Sequence, residues 1–166
     1  MAFGAVSKIF TAYLYNILTN TSAAAIPTDA LLECALFDNT ITPNQTDTVA
    51  HNAYAAAGGS WASGGVTDTG TSAPAGWPSL GRPLVAAGGT ITAATANPFS
   101  WGASNTVSAS ATTTLTNAYG CLLYDHTAGT PTDMGICYVS FNGGNTITLG
   151  TFTIVWAGGL IFSITL

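Results

Sequence analysis

Charge is what this sequence lacks. Asp, Glu, Lys and Arg together make up 5% of its 166 residues, where an ordinary soluble domain has roughly 25%. Lys8 and Arg82 are its two cations against seven acids, so the net charge is −5 and the isoelectric point about 4.3. Two cations cannot line a groove with the Lys and Arg that displace counterions from phosphate, which excludes nucleic-acid binding. Binding to an anionic membrane surface is excluded on the same ground. Long apolar runs are missing too. Gly, Ser, Thr or Asn break each of them well short of the ~18 residues of a membrane helix. The apolar N-terminal patch is interrupted by Asn16, Thr19 and Asn20 and does not read as a signal peptide.

Catalytic signatures are equally scarce. There is no GxSxG, and the glycine pairs starting at 58, 64, 88, 143 and 158 build no phosphate loop with a lysine. Cys34, Cys121 and Cys137 are an odd set without CxxC spacing. Each sits in a strand-like run, as a buried free thiol would, and two of them would suit a disulfide if their strands are neighbours. Without a nearby His or acidic set they make a poor zinc site. The acids are Asp29, Glu33, Asp38, Asp47, Asp68, Asp125 and Asp133, most of them in loop-like stretches where Asp caps a turn. Asp125 and Asp133, beside His126, form the best carboxylate pair. They would serve a hydrolase or a divalent ion, and equally a solvated loop with capping acids. His51 reads as a surface or interface histidine. No catalytic, cofactor-binding or metal residue is assigned, and the chain is read as a non-enzyme without cofactor.

What is present is apolar and small. Hydrophobic residues make up 48% of the chain and its mean hydropathy is +0.40, which excludes intrinsic disorder. The length suits one domain, residues 1–166, able to bury about 70% of its unfolded surface. Thr, Ser, Asn and Gly supply the polarity that charge usually gives. Such a surface suits a protein that spends its life assembled, because burying an unpaired charge costs several kcal/mol. A neutral, Thr-rich surface of a secreted β protein is the plainer alternative.

The periodicity predicts one helix over residues 3–18, with Val6, Phe10, Tyr13, Leu14 and Ile17 on one stripe. Residues 30–37 read as a strand covered on both faces, and 48–58 as a short helix with His51 and Tyr54. Residues 58–81 form a Gly/Ser-rich excursion anchored by Trp61 and Trp77. Beyond Arg82 the pattern is β. Strands are expected at 84–86, 90–93, 99–101, 112–116, 119–124 and 135–141, with a turn at Asn142–Asn145. The last two strands, 151–156 and 160–166, read as a hairpin around Ala157–Gly159. The expected class is mainly β, an antiparallel β-sandwich of jelly-roll type with one short N-terminal helix.

These residues also resemble a family of small β-rich structural proteins of tailed bacteriophages. The similarity is carried by Asn117-Ala118-Tyr119-Gly120-Cys121-Leu122-Leu123-Tyr124-Asp125, by Ile136-Cys137-Tyr138-Val139-Ser140-Phe141-Asn142-Gly143-Gly144, and by Thr148-Leu149-Gly150-Thr151-Phe152-Thr153-Ile154-Val155-Trp156. The stretch from Gly58 to Gly81 fits the pattern poorly. The resemblance implies a virion protein rather than a reaction. On that basis a capsid decoration, or cement, protein is expected. It would be made in the host bacterial cytoplasm, sit on the capsid exterior, and bind the major capsid protein and itself, as a homotrimer at a threefold position. A tail or tail-fibre component, with receptor or glycan binding, is the alternative. A secreted glycan-binding or glycan-cleaving sandwich is a third reading, resting on Asp125 and Asp133. Phe3, Phe10, Tyr13, Trp61, Trp77 and Trp101 are the interface candidates, since aromatics dominate hot spots, and each is equally a core candidate.

Overall fold

A computed structural model describes residues 7–19, 32–45, 61, 63–71, 73, 75–79, 81–84, 92–94, 99–126, 134–156 and 160–164. In chain order the elements are β1 (Lys8–Ile9), α1 (Thr11–Thr19), β2 (Leu32–Phe37), β3 (Gly65–Val66), β4 (Arg82–Pro83), β5 (Thr92–Ala94) and β6 (Phe99–Gly102). They continue with β7 (Thr106–Val107), β8 (Thr113–Asp125), β9 (Met134–Gly150), β10 (Thr153–Ile154) and β11 (Leu160–Ile164). The chain is mainly β and its strand pairings are antiparallel. The main sheet has the order β1-β9-β8-β2-β3, with β4 also on β2. A pair β10-β7 and a triplet β11-β6-β5 stand apart from it.

The centre of this sheet is β2-β8-β9. β2 pairs with β8 along its whole length, from Leu32 opposite Asp125 to Phe37 opposite Gly120. Its apolar residues on both faces are buried, as the sequence pattern requires. Leu122, Leu123, Tyr124, Ile136 and Cys137 extend that buried band across β8 and β9. One apolar cluster joins them to Phe10, Tyr13, Trp61, Trp77, Leu84 and Trp156.

The helix is shorter than the stripe predicted. Lys8 and Ile9 pair with Tyr138 and Cys137 as β1, and the helix opens with the Leu14 amide donating to the Phe10 carbonyl at 3.2 Å. An edge of β9 was open to residues 8–9, and strand pairing took them. The turn expected at Asn142–Asn145 is instead an irregularity within β9. Ala118 stands opposite Asn145 and Gly120 opposite Ser140, so Phe141–Gly144 bulge out of the ladder. Asn142 takes φ 59° there, a left-handed conformation that asparagine tolerates. The strands expected separately at 112–116 and 119–124 are one, β8.

The expected C-terminal hairpin is corrected as well. β10 pairs with β7 and β11 with β6, not with each other. The alternation itself is right: Ile154 and Trp156 are buried and Thr151, Thr153 and Val155 exposed. Trp156 donates its indole N–H to Thr106 Oγ1 at 3.2 Å, while Ser108 and Phe152 exchange backbone and hydroxyl bonds at 2.8 and 3.0 Å. Alternation identifies a buried face; it does not identify the strand alongside. β4 precedes a buried Leu84, and residues 85–86 of the strand expected at 84–86 lie outside the described residues. The short helix expected at 48–58 lies outside the described residues.

Between β3 and β4 a buried carboxylate ties the chain to itself and to β8, beside the Thr69 amide that donates to the Thr114 carbonyl at 2.9 Å. Asp68, 3% exposed, accepts the Gly70 and Thr114 amides on Oδ1, each at 2.8 Å, and the Gly76 amide on Oδ2 at 3.2 Å. Its own amide donates to the Trp77 carbonyl at 2.9 Å. A Cβ at Gly76 would collide with Asp68 Oδ2 and Thr113 Oγ1, so only glycine lets the carboxylate close on that amide. Trp77 donates its indole N–H to the Cys34 carbonyl at 3.2 Å. Asp68→Ala leaves three amides without their acceptor. It is expected to cost about 3 kcal/mol and lower the melting temperature by roughly 6–12 °C, measured by urea and thermal unfolding.

Candidate functional site

Four of the six aromatic interface candidates are interior residues. Phe10, Tyr13 and Trp77 are 0% exposed and Trp61 1%, so they pack the core rather than meet a partner. Trp61 sits edge-on to Phe37 with ring centroids 4.9 Å apart and to Phe10 at 6.1 Å, and 5.6 Å from Tyr138. Trp77 stacks edge-on against Phe152 at 5.5 Å. Edge-to-face packing of this kind adds about 0.5–1.5 kcal/mol per pair beyond area burial. Trp101 is placed as a β6 residue opposite Ala93 and Phe162. Phe3 lies outside the described residues.

Of the ionisable candidates, Asp125 and His126 are described. Asp125 ends β8 opposite Leu32 and is buried, and its charge helps push the buried Tyr13 hydroxyl upward, after burial itself and Cys137. Asp133 and His51 lie outside the described residues. His126 packs edge-on to Tyr124, 6.1 Å between centroids.

Sequence reasoning missed Glu33. It sits inside the apolar run of β2, opposite Pro83 of β4 and Tyr124 of β8. Its Oε2 is buried without a hydrogen-bond partner among the described residues. Burial pushes its carboxyl up to about 7, against the opposing pull of His126 and then Arg82. The one available signal was an acid within Leu-Leu-Glu-Cys-Ala-Leu.

The three cysteines are free and buried. Cys34 stands opposite Leu123, and Leu123 opposite Cys137; Cys121, two residues along β8, shares their face. Burial pushes the Cys34 and Cys137 thiols well up, and Cys34 is raised further by its hydrogen bond with Cys121. Protonated, enclosed thiols are poor nucleophiles and poor metal ligands. Among the described residues, no three His, Cys, Asp or Glu side chains are grouped to hold a metal ion. No helix among them is long and apolar enough to cross a membrane.

Two open grooves mark the described surface. One, of about 420 Å³, runs along β1 and β9 and is lined by Lys8, Thr11, Leu14, Gln45, Tyr138 and Ile161 among others. Its polar groups are partly engaged, since Thr11 donates its amide and hydroxyl to the Gln45 carbonyl. The other, of about 240 Å³, lies between the β9 bulge and β10 and is lined by Phe141, Asn145, Phe152, Thr153, Ile154 and Val155. It carries no ionisable side chain. Either groove can hold an extended peptide or an apolar side chain; neither aligns an acid with a base.

Comparison of the chain with family models, curated proteins and solved structures returned no match.

Glu33 gives the site a pH signature. A carboxyl raised by folding stabilises the native state fully below its unfolded value of 4.5, and that contribution is lost as pH rises through about 7. The stability of the wild type relative to Glu33→Gln is therefore expected to fall between pH 5 and pH 8. Urea unfolding of both proteins at the two pH values measures the difference.

Proposed function

We propose that this chain is a structural protein of a tailed-bacteriophage virion, acting as a capsid decoration protein on the outside of the major capsid shell. The observation that carries the reading is where the phage-like strings fall. Residues 117–125 and 136–144 are the paired β8 and β9 at the centre of the main sheet, and 148–156 run from the end of β9 through β10. Two of the three strings are thus neighbours in one sheet, and the third continues from β9 into β10, which pairs with β7.

The surface chemistry supports the same reading. β9 beyond Ser140 is largely exposed, yet its exposed side chains are Asn, Thr and Leu. A shell component meets its neighbours over seams on which a fixed charge would be desolvated at a cost. It gains its affinity from many copies on a lattice rather than from one strong contact. Its partners in this account are the major capsid protein and further copies of itself, with the trimer at a threefold position as the arrangement proposed.

The test is reconstitution. Purified protein is mixed with phage heads that lack it, and the heads are imaged and heated. Ordered copies at capsomer junctions, on heads that survive a higher temperature, are expected. Heads left bare overturn the capsid assignment, and a signal on the tail of whole virions moves the protein there.

A further inference from the structure

We propose that Asn142 is a site of spontaneous deamidation, at which its side-chain amide closes on the Gly143 nitrogen and gives way to a carboxylate. The inference is independent of the virion reading and needs no partner chain.

The first observation is the sequence. Asn142-Gly143 is the only Asn-Gly pair in the chain. In the reaction the Gly143 amide nitrogen, having lost its proton, attacks Asn142 Cγ. A Cγ–N bond forms, the Cγ–Nδ2 bond breaks, and ammonia leaves a cyclic imide behind. Water then opens the imide at either carbonyl, to aspartate or to isoaspartate. Water is consumed and ammonia released, with no oxidant or reductant. Glycine is the successor that allows this, because it puts no side chain in the path of the attack.

The second observation is how differently two asparagines at the β9 bulge are held. Asn145 donates its side-chain amide to the Ala118 carbonyl at 3.3 Å and the Gly143 carbonyl at 3.1 Å, and β-branched Thr146 follows it. A carboxamide tied in this way does not turn toward the next nitrogen. Asn142 is exposed, and among the described residues its carboxamide makes no hydrogen bond; only its backbone N–H is engaged, donating to Ser140 Oγ at 3.2 Å. Among the described residues, no heavy atom lies within 4 Å of the place a Cβ on Gly143 would take, whereas at Gly144 the Tyr119 ring stands 2.7 Å from it. The imide ring therefore has room on its Gly143 side.

The third observation is the backbone. Closing the ring brings Cγ and the Gly143 nitrogen into one plane, which sets ψ of Asn142 at about −120°. With a positive φ that is the first central position of a type II′ turn. Asn142 already has φ 59°, so rotation of the one peptide plane between Asn142 and Gly143 reaches the reactive geometry. The bulge permits that rotation, since Phe141–Gly144 lie between the Ser140 and Asn145 pairings with β8. An asparagine in a regular ladder has a negative φ and must leave the ladder first. The product is the first side-chain charge within residues 134–166. Aspartate accepts the left-handed φ as asparagine does, while isoaspartate adds a methylene to the backbone of β9.

The experiment incubates the folded full chain in mildly alkaline buffer made with heavy-oxygen water, beside a sample in concentrated urea. Peptic peptides are followed by mass spectrometry, with aspartate and isoaspartate separated. Asn142 is expected to lose ammonia and take up heavy oxygen, giving both isomers, at a rate within about tenfold of the urea sample, a barrier difference below about 1.4 kcal/mol. Asn145 is expected to stay intact in the folded chain. Gly143→Ala is expected to slow the loss at least about tenfold; the urea arm reads that substitution whether or not the variant folds. An Asn142 that survives in the folded chain while the urea sample deamidates overturns the proposal, because the fold then protects the pair. Equal loss at Asn145, absence of isoaspartate, or an unchanged rate in Gly143→Ala overturns the imide route.

Discussion

The Asp68 carboxylate and its three amide donors are the interaction on which the rest of the arrangement depends. Two of the donors belong to the loop between β3 and β4; the third, Thr114, belongs to the start of β8. That side chain, together with the Thr69 amide donating to the Thr114 carbonyl at 2.9 Å, fastens the loop to β8. Trp77 follows from the same constraint. Its carbonyl accepts the Asp68 amide, its indole N–H reaches the Cys34 carbonyl of β2, and its ring lies against Phe152. A hydrogen bond to a charged group contributes about 1.5–3 kcal/mol, roughly twice a neutral one. In a chain with seven acids, one is spent on closing a loop.

Scarcity of charge shifts the remaining polar work to hydroxyls and amides. Thr114 Oγ1 accepts the Leu149 amide, Thr146 Oγ1 the Asn117 amide, and Ser108 Oγ the Phe152 amide. Asn145 donates its side-chain amide to the Ala118 and Gly143 carbonyls across the bulge. These groups satisfy backbone donors and acceptors where the ladder is irregular, without a desolvated ion. Glu33 is the exception. It lies among apolar neighbours, with Arg82 near enough to act on it while the Arg82 Nε donates to the Val107 carbonyl.

The class of the fold was legible in the sequence, because burial alternates along strands whatever their partners. The doubly covered β2 and the buried thiols followed from apolar residues on both faces of a strand. The anchoring of the Gly-rich stretch followed from its two tryptophans. What could not be read was pairing. The alternation of Phe152, Ile154 and Trp156 held, yet their partner is β7, more than forty residues earlier. Asn142–Asn145 has turn chemistry, but a longer ladder with β8 absorbed it as a bulge. Aromatic content suggested an interface, whereas a chain this apolar places its largest rings inside. Asp68 looked like one more loop acid, since its three donors are spread over residues 70–114.

Loop closure and sheet coverage are thus linked. The loop is bonded to β8 through Asp68 and Thr69 and to β2 through Trp77. The measurement that tests this most directly is native-state amide hydrogen exchange at Gly70, Gly76 and Thr114. If the carboxylate holds the loop to β8, these amides exchange as slowly as those of Leu122 and Leu123 and open only with global unfolding. Exchange at rates typical of a surface loop, while β8 stays protected, would contradict the account.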